Sequence, residues 1–292
     1  MNFYKPILAA VLFLMVLIGI YFLRPAKPVA VVLPSPNGYD DFIAAGKKLE
    51  GVDLRRLSEI ELRQFVRTNS ATLRAGRNGL EKESRVPIKF VADSDFTGLS
   101  VVKYLGLGLE AEGRVAEWDG QTNRACLEYF DVVRLGVAGA KGGLLIHKLV
   151  GIASESIGIT ALRKASRGLD AVEARELILK LQQLEAQEES IDTILDREEE
   201  WSRVTSRFRE RLANIIANRS LRPIRKMMGS HLTKRVDTLT RGKADLLLQL
   251  AARAYELEHG AQPKNWSDLV PAYLKTIPLD PLTGNKLIFR FD

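Results

Sequence analysis

The chain has 292 residues, of which 46% are hydrophobic and 27% are charged, and this balance excludes a wholly disordered protein. Cys126 is the only cysteine, which excludes an intrachain disulfide framework and a cysteine-based metal site. The formal net charge of +7 is moderate, so the distribution of charge along the chain is more informative than its sum.

The first feature along the chain is a run of seventeen uncharged residues, 7–23. At about 1.5 Å per residue, a helix of this run spans roughly 26 Å, near the lower limit for crossing a bilayer. The alternative is a cleaved signal peptide, whose apolar region is about 7–15 residues long and precedes a small-x-small site. Here the nearest small residues, Ala26 and Ala30, lie among prolines. The run therefore predicts an uncleaved signal-anchor over residues 1–24.

A proline-rich linker follows the predicted anchor over residues 25–38. Pro25, Pro28, Pro34 and Pro36 favour an extended, stiff spacer, because proline lacks the amide that a helix interior requires. Basic residues lie on both sides of the apolar run, so the positive-inside rule leaves its orientation undecided. We expect a single-pass inner-membrane protein whose body lies outside the cytoplasm.

The body, residues 39–243, shows helical patterning. Ser58 and Glu61 have the spacing of a capping box, which predicts a helix start. Asp119-Gly120 predicts a turn between helices 95–118 and 121–138, which together form an αα-hairpin. Residues 144–165 are apolar on most sides, so we expect them to form the central buried helix. Charged residues interrupt this segment too often for a second membrane span.

Three segments have features of known kinds of sites, but each favours a structural interpretation. Residues 136–143, GVAGAKGG, resemble a phosphate loop, but Lys141 is followed by glycine and no hydroxyl follows it, so a helix–helix connection is predicted. His147 has no carboxylate or histidine at a metal-ligand spacing, which favours a core or rim histidine. Asp196 and the glutamates at positions 198–200 lie close together in sequence, so their carboxylates point in different directions around a helix and do not converge on one site. No catalytic residue, cofactor or metal site is predicted.

Charge is divided sharply between two neighbouring segments. Residues 170–200 contain eleven acidic and three basic side chains, a net of −8, whereas residues 203–243 contain twelve basic and two acidic ones, a net of +10. The favoured interpretation is a pair of helices whose charges complement each other or face water. The second is contact with anionic lipid. The third is nucleic-acid binding, which is disfavoured because residues 214–243 contain no aromatic side chain for base stacking. The candidate anionic-surface contacts are Arg219, Arg222, Arg225, Lys226, Lys234 and Arg235.

The last segment, residues 244–292, begins with an amphipathic helix over 246–258, and Gly260 is placed as its C-cap. The turn motif comprises Pro278, Asp280, Pro281 and Gly284. Apolar residues then alternate at 287, 289 and 291, which predicts a small β-hairpin packed on the body.

Within this segment the residues follow the order AxxYELEHGxxPxxWSDLVPxYLxxIPxDPLTGxxLxF. It is similar to the C-terminal segment of uncharacterised membrane-anchored helical proteins of Planctomycetes and related bacteria, and to that of type II secretion major pseudopilins. The residues that carry the resemblance are Tyr255, Gly260, Pro263, Leu269, Val270, Tyr273, Leu274, Pro278, Asp280, Pro281, Gly284 and Leu287. The resemblance implies a fold element and no catalysis.

Two departures from the pseudopilin pattern limit what the resemblance implies. Residues 1–23 lack both the Gly-Phe cleavage site and the acidic residue of a pseudopilin leader, so processing and fibre assembly are not expected. Some pseudopilins bind calcium in this region. Asp280 and Asn285 supply only two side-chain oxygens, fewer than the six to eight ligands that calcium takes, which favours a plain turn.

The sequence thus predicts a mainly α fold with an N-terminal transmembrane helix, a multi-helix αα-hairpin body and a small C-terminal β-hairpin. The functional hypothesis is a membrane-tethered interaction or scaffold protein of the cell envelope, with no catalytic activity apparent from the sequence. Its expected contacts are the membrane through residues 7–23 and a protein partner in the envelope, with anionic lipid as a further candidate. The alternatives are an envelope hydrolase with an unrecognised active site, and a lipid or nucleic-acid binder acting through residues 203–243.

Overall fold

The computed structural model describes residues 13, 15, 31–91, 97–205, 208–281 and 283–287, without the side chains of residues 208–229 and 231. Apart from Phe13 and Met15, the predicted anchor lies outside the described residues, as does the first part of the linker. The mainly α fold is confirmed, and no strand occurs within the described ranges. The helices are α1 Gly38–Lys48, α2 Glu59–Asn78, α3 Thr97–Trp118, α4 Thr122–Ala138, α5 Leu145–Ala165, α6 Ala171–Glu185, α7 Ile191–Thr205, α8 Phe208–His259 and α9 Trp266–Leu269.

Helix α2 begins at the predicted capping box. The Ser58 backbone amide donates to the Glu61 carboxylate at 2.8 Å, and the Glu61 amide donates back to the Ser58 hydroxyl at 3.4 Å. Hydrogen bonds from Ser58 hold the pKa of the Glu61 carboxyl below its ordinary value. The exchange satisfies amides that the first turn of a helix leaves without intrahelical partners.

Helices α3 and α4 form the predicted hairpin, joined by a turn in which Gly120 has φ +71°. Small residues permit the close packing of this layer. A Cβ atom at Gly113 would lie only 2.3 Å from the Tyr129 ring. A Cβ at Gly136 of α4 would lie 2.6 Å from the carbonyl oxygen of Gly151 in α5. A larger side chain at either glycine would therefore push neighbouring helices apart.

Helix α5 is the central helix, as its composition predicts. Its residues Ile152, Ile159 and Leu162 are buried in one core with side chains from α4, α6, α8 and the C-terminal segment. One helical stretch of the described chain, Leu145–Gly168, is long and apolar enough to cross a membrane, but 56% of its most apolar window is buried inside the protein. Its packing is that of a core helix.

Helix α8 is 52 residues long and continues through position 243, where the sequence suggests a change of segment. At about 1.5 Å per residue it covers roughly 78 Å. Its second half packs against the body through Leu232, Leu239, Leu246 and Leu250, all buried. Gly260, with φ +67°, ends it at the predicted C-cap.

The C-terminal segment forms a turn where a hairpin is predicted. The Asp280 amide donates to the Asn285 carbonyl at 2.7 Å, and Leu279 and Lys286 form one isolated antiparallel bridge. Residues 288–292, where most of the second strand is predicted, lie outside the described set, so the hairpin stays a prediction. Leu274 and Leu287 are buried in the main core, which fixes the turn to the body.

Candidate functional site

A four-membered ion cluster lies beside α5 and contains a fully buried carboxylate. The Glu155 side chain is 0% exposed, and Lys148 lies seven residues before it, on the same side of α5. Glu188 reaches the cluster from the α6–α7 connection and Lys243 from α8. The Lys243 ammonium lies 2.5 Å from Glu155 and also contacts Glu188, while the Lys148 ammonium lies 3.1 Å from Glu188 and 3.5 Å from Glu155.

The pKa shifts in this cluster follow from burial and charge. Burial raises the pKa of the Glu155 carboxyl, although Lys243 and Lys148 oppose the shift. Burial acts in the same direction on Glu188, but the two lysines outweigh it and hold its pKa below the ordinary value. For Lys243, burial is outweighed by Glu155 and Glu188, so the pKa of its ammonium is raised. The two carboxylates and two ammoniums therefore neutralise one another.

This cluster joins three segments of the chain and has the arrangement of a structural site. Each carboxylate accepts from both lysines, and neither of the two clefts described below is lined by its residues. Removing one member of a buried ion cluster is costly because the remaining charge stays in an apolar interior. The cluster includes one contact between the acidic and basic segments, Glu188 with Lys243, so the complementary-charge interpretation holds at this point.

A second cluster surrounds Arg77 at the end of α2. Its guanidinium contacts the carboxylates of Glu112 at 2.6 Å, Asp131 at 2.8 Å and Glu128. Arg134 lies 3.0 Å from Asp131 on the other side. The cluster connects α2, α3 and α4 where their polar faces meet.

Glu128 shares the Arg77 guanidinium with two other carboxylates, and the more exposed Arg124 lies 3.7 Å from it. Burial raises the pKa of the Glu128 carboxyl to about 7. Glu112 and Asp131 add to this rise, while Arg77 and, to a smaller extent, Arg124 oppose it. Burial likewise raises the pKa of Glu112. Glu128 therefore takes up a proton near neutral pH.

The glycine-rich connection at residues 136–143 is bound by the protein's own acidic segment. The Gly142 amide donates to the Glu189 carboxylate at 2.9 Å, and Arg197 lies 2.6 Å from the same carboxylate. Arg197 also donates to the Gly143 carbonyl at 2.6 Å. The segment is the helix–helix connection that the sequence predicts. The Gly142 amide, which a bound phosphate would need, already donates to Glu189.

His147 lies in the first turn of α5, where it caps the helix. Its Nδ1 accepts from the Leu144 amide at 3.1 Å. Burial, with a smaller effect from Arg197, lowers the pKa of its imidazole to about 4, so the ring is neutral at physiological pH. Cys126 is also buried, and burial raises the pKa of its thiol to about 12, so it is not a reactive thiolate.

The predicted anionic-surface residues all lie on α8. Lys234 and Arg235 are exposed and form no ion pair with the described side chains. The side chains of Arg219, Arg222, Arg225 and Lys226 lie outside the described set.

The predicted turn motif does come together. The Gly284 amide donates to the Asp280 carbonyl at 2.7 Å, and the Asp280 carboxylate lies 3.4 Å from Arg241. The carboxylate thus contacts a cation of α8. No group of three or more His, Cys, Asp or Glu residues that would suit a metal ion occurs in the described part of the chain.

The clefts on the described surface include the following two. The first, of about 470 Å³, lies between the segment after α2, α4 and α6; its described lining includes Lys82, Arg134, Lys141 and Lys180. The hydroxyl of Ser84 in this cleft donates to the Ala138 carbonyl at 2.9 Å. The second, of about 380 Å³, lies between α3 and α5. Neither described lining contains a histidine or cysteine that would activate a nucleophile or act as one.

Sequence reasoning missed both ion clusters. Lys148 and Glu155 interrupt an apolar helix, which argues against a membrane span. Charges spaced by seven residues on one side of a buried helix also indicate an internal ion pair. The Arg77 cluster has no comparable signal, because its four members are spread over three helices.

No protein-family model, curated protein or solved structure matches this chain. Function is therefore inferred from the charge, burial and chemistry of its own residues.

Proposed function

We propose that the protein is a membrane-tethered helical interaction or scaffold protein of the cell envelope, without catalytic activity. The observation that carries the proposal is that the buried charged residues pair with one another. The buried ions of both clusters are bound to one another, where they join helices, instead of converging on an open cleft as catalytic groups do.

The tether in this proposal is the apolar run at residues 7–23, held away from the body by the proline-rich linker. The expected topology is a single span with the body outside the cytoplasm. The C-terminal turn, with its bridge between Leu279 and Lys286, supports a small pseudopilin-like hairpin packed on the body.

The tether is tested by alkaline extraction of membranes that contain the full-length chain. The wild-type chain should stay in the pellet, while Leu14→Arg/Leu17→Arg should move to the supernatant because two arginines in the apolar run oppose insertion. Val32→Arg/Leu33→Arg in the exposed linker is the matched control and should stay in the pellet. Protease treatment of intact spheroplasts then tests orientation: a fully protected body would contradict the extracytoplasmic placement.

The interaction role is tested by photocrosslinking in native membranes from exposed positions of the body, followed by identification of the captured chains. We expect the same partner to be captured from several neighbouring positions of the wild-type chain. The unanchored Leu14→Arg/Leu17→Arg chain should not capture this partner from those positions. Recovery of this chain alone would count against the scaffold role.

A second candidate function is contact with an anionic membrane surface. Lys234 and Arg235 favour it, because both are exposed and free of ion pairs with the described side chains. Each basic residue near such a surface contributes about 1 kcal/mol at physiological ionic strength. Lys234→Glu/Arg235→Glu should weaken binding to phosphatidylserine vesicles, whereas Lys264→Glu/Lys275→Glu should not. Equal binding by both variants would remove this candidate.

A further inference from the structure

A groove of about 380 Å³ runs between α3 and α5, which both pack on α4. Its floor is formed by Gly106 and Leu107 of α3 and Val132 of α4, all buried. Leu149 and Ile157 of α5 form the opposite wall. This volume lies at the small end of the range for small-molecule sites, about 300–1,000 Å³.

Among its described residues, the interior of the groove has one polar side chain, Ser154, and no free hydrogen-bond donor. The hydroxyl of Ser154 already donates to the Val150 carbonyl at 3.2 Å, in the same helix. The backbone groups of the walls belong to helices. A polar ligand would lose its water here and find only the Ser154 hydroxyl oxygen as a side-chain acceptor, so the groove selects an apolar ligand or the apolar part of one.

Gly106 keeps the groove open. A Cβ atom at this position would meet only Leu135 at 3.6 Å and Ser154 at 3.7 Å, which are ordinary contact distances. Alanine would therefore fit without strain, and a longer side chain would extend into the space that a ligand occupies.

The rim of the groove is positively charged. Arg55 and Lys103 are exposed and form no ion pair with any described side chain, and none of the described lining residues is acidic. Burial raises the pKa of the Glu110 carboxyl, and the charge of Arg55 opposes this rise, but Glu110 forms no ion pair with Arg55. The two cations therefore remain available to an anionic group that lies at the mouth of the groove.

We propose that this groove binds a fatty acid, with the alkyl chain on the apolar floor and the carboxylate between Arg55 and Lys103. A single chain suits the small volume, and a carboxylate suits two free cations above a floor without polar groups. The site does not depend on the proposed interaction role, and would exist whether or not the protein has an envelope partner.

The test uses the full-length chain in lipid nanodiscs and a diazirine analogue of palmitic acid as the photoreactive probe. We expect labelling within residues 97–118 and 145–165, and competition by unlabelled palmitate. Gly106→Leu, which fills the groove, should reduce labelling about tenfold or more, a loss of about 1.4 kcal/mol or more in binding. Arg55→Glu/Lys103→Glu should reduce it similarly, while Lys264→Glu/Lys275→Glu, far along the chain on the C-terminal segment, should leave it unchanged.

Two further measurements keep the outcome decisive. Thermal unfolding monitored by circular dichroism checks that Gly106→Leu folds. If Gly106→Leu does not fold, Ala153→Trp replaces it as the groove-filling variant, because Ala153 is an exposed residue of the groove wall. A diazirine fatty alcohol reports the part played by charge. Labelling that is unchanged by both groove-filling variants, or equal for acid and alcohol, would overturn the proposal.

A different occupant would also be detected. A photoreactive amino acid at position 153 should capture no part of the protein when palmitate is present. The photoreactive residue could instead capture residues 1–30, a second copy of the chain or another protein. If palmitate does not displace that capture, the groove is a protein-binding surface and the fatty-acid proposal is wrong.

Discussion

The ammonium of Lys243 in α8 lies 2.5 Å from the fully buried carboxylate of Glu155 in α5. The two residues are 88 positions apart, and their contact joins the basic segment of the chain to its central apolar helix. Two ions that lose their water in this way are stable only as a pair, so the contact constrains how α8 is placed along α5.

Breaking this pair should destabilise the protein strongly. Lys243→Met leaves Glu155 with the more distant Lys148, and we expect the free energy of unfolding to fall by about 3–5 kcal/mol. Urea denaturation monitored by circular dichroism measures the change. Lys180→Met, on the partly exposed surface of α6, is the control and should change stability by less than about 1 kcal/mol.

Removing both partners should cost less than removing one. In Glu155→Leu/Lys243→Met, Lys148 and Glu188 remain paired at 3.1 Å, so no buried charge is left alone. We expect the double variant to recover most of the loss seen in Lys243→Met, because its apolar side chains replace a desolvated pair. Additive losses in the double-mutant cycle would contradict the coupling.

Glu128 should make folding more favourable at acidic pH. Its pKa is raised to about 7 from an ordinary value near 4.5, so between these values the folded protein binds a proton that the unfolded chain does not. Its contribution to stability is therefore lost as pH rises toward 7, by about 2–3 kcal/mol between pH 5 and pH 8 at about 1.36 kcal/mol per pKa unit. Denaturation across this range should show that Glu128→Gln lacks the dependence. Glu59→Gln, at an exposed carboxylate, should retain it.

His147 should have the opposite effect. Its pKa is lowered to about 4 from 6.5, so the unfolded chain takes up the proton first and stability is lost as pH falls through this window. We expect about 2–3 kcal/mol of the loss between pH 7 and pH 4.5 to be absent in His147→Asn, which keeps an acceptor for the Leu144 amide. His259→Asn is the exposed control. The Glu128 and His147 effects on the pH dependence of stability oppose each other. The Glu128→Gln variant should therefore show the pH dependence due to His147, and the His147→Asn variant that due to Glu128.

Arg175 should hold the C-terminal segment on the body. Its guanidinium lies 2.7 Å from Glu258, donates to the Ala272 carbonyl at 2.9 Å, and covers the Tyr273 ring at 3.9 Å. In Arg175→Ala, amide hydrogen exchange over residues 266–287 should accelerate, while the central helix α5 keeps its protection. Arg167→Ala, at an exposed arginine, is the control. Faster exchange throughout the protein would show instead that the segment is part of the global folding unit.

Local signals predicted the helices of the body well, because each depends on residues a few positions apart. Ser58 and Glu61 form their capping box within one turn, Gly120 gives the α3–α4 turn, and Gly260 ends α8. The predicted helix at 246–258 is the end of a much longer one. The sequence does not predict this length, because the basic segment before residue 246 has no regular apolar repeat.

The candidate sites were less predictable, since they depend on contacts between distant elements. The acidic and basic segments predicted complementary charges, but not that Glu188 would meet Lys243 beside the buried Glu155. The groove between α3 and α5, proposed to bind a fatty acid, depends on Gly106, Val132 and Ile157 being brought together by three helices. No spacing within any one helix indicates that convergence.

The sequence by itself determined the helical class, the caps and turns, the apolar character of α5 and the uneven charge, because these depend on neighbouring residues and on composition. Only the tertiary structure decided which charges are buried, which carboxyl titrates near neutral pH, and where a groove remains open. Those properties arise from water excluded between elements far apart in the chain, and desolvation is a property of the packed whole.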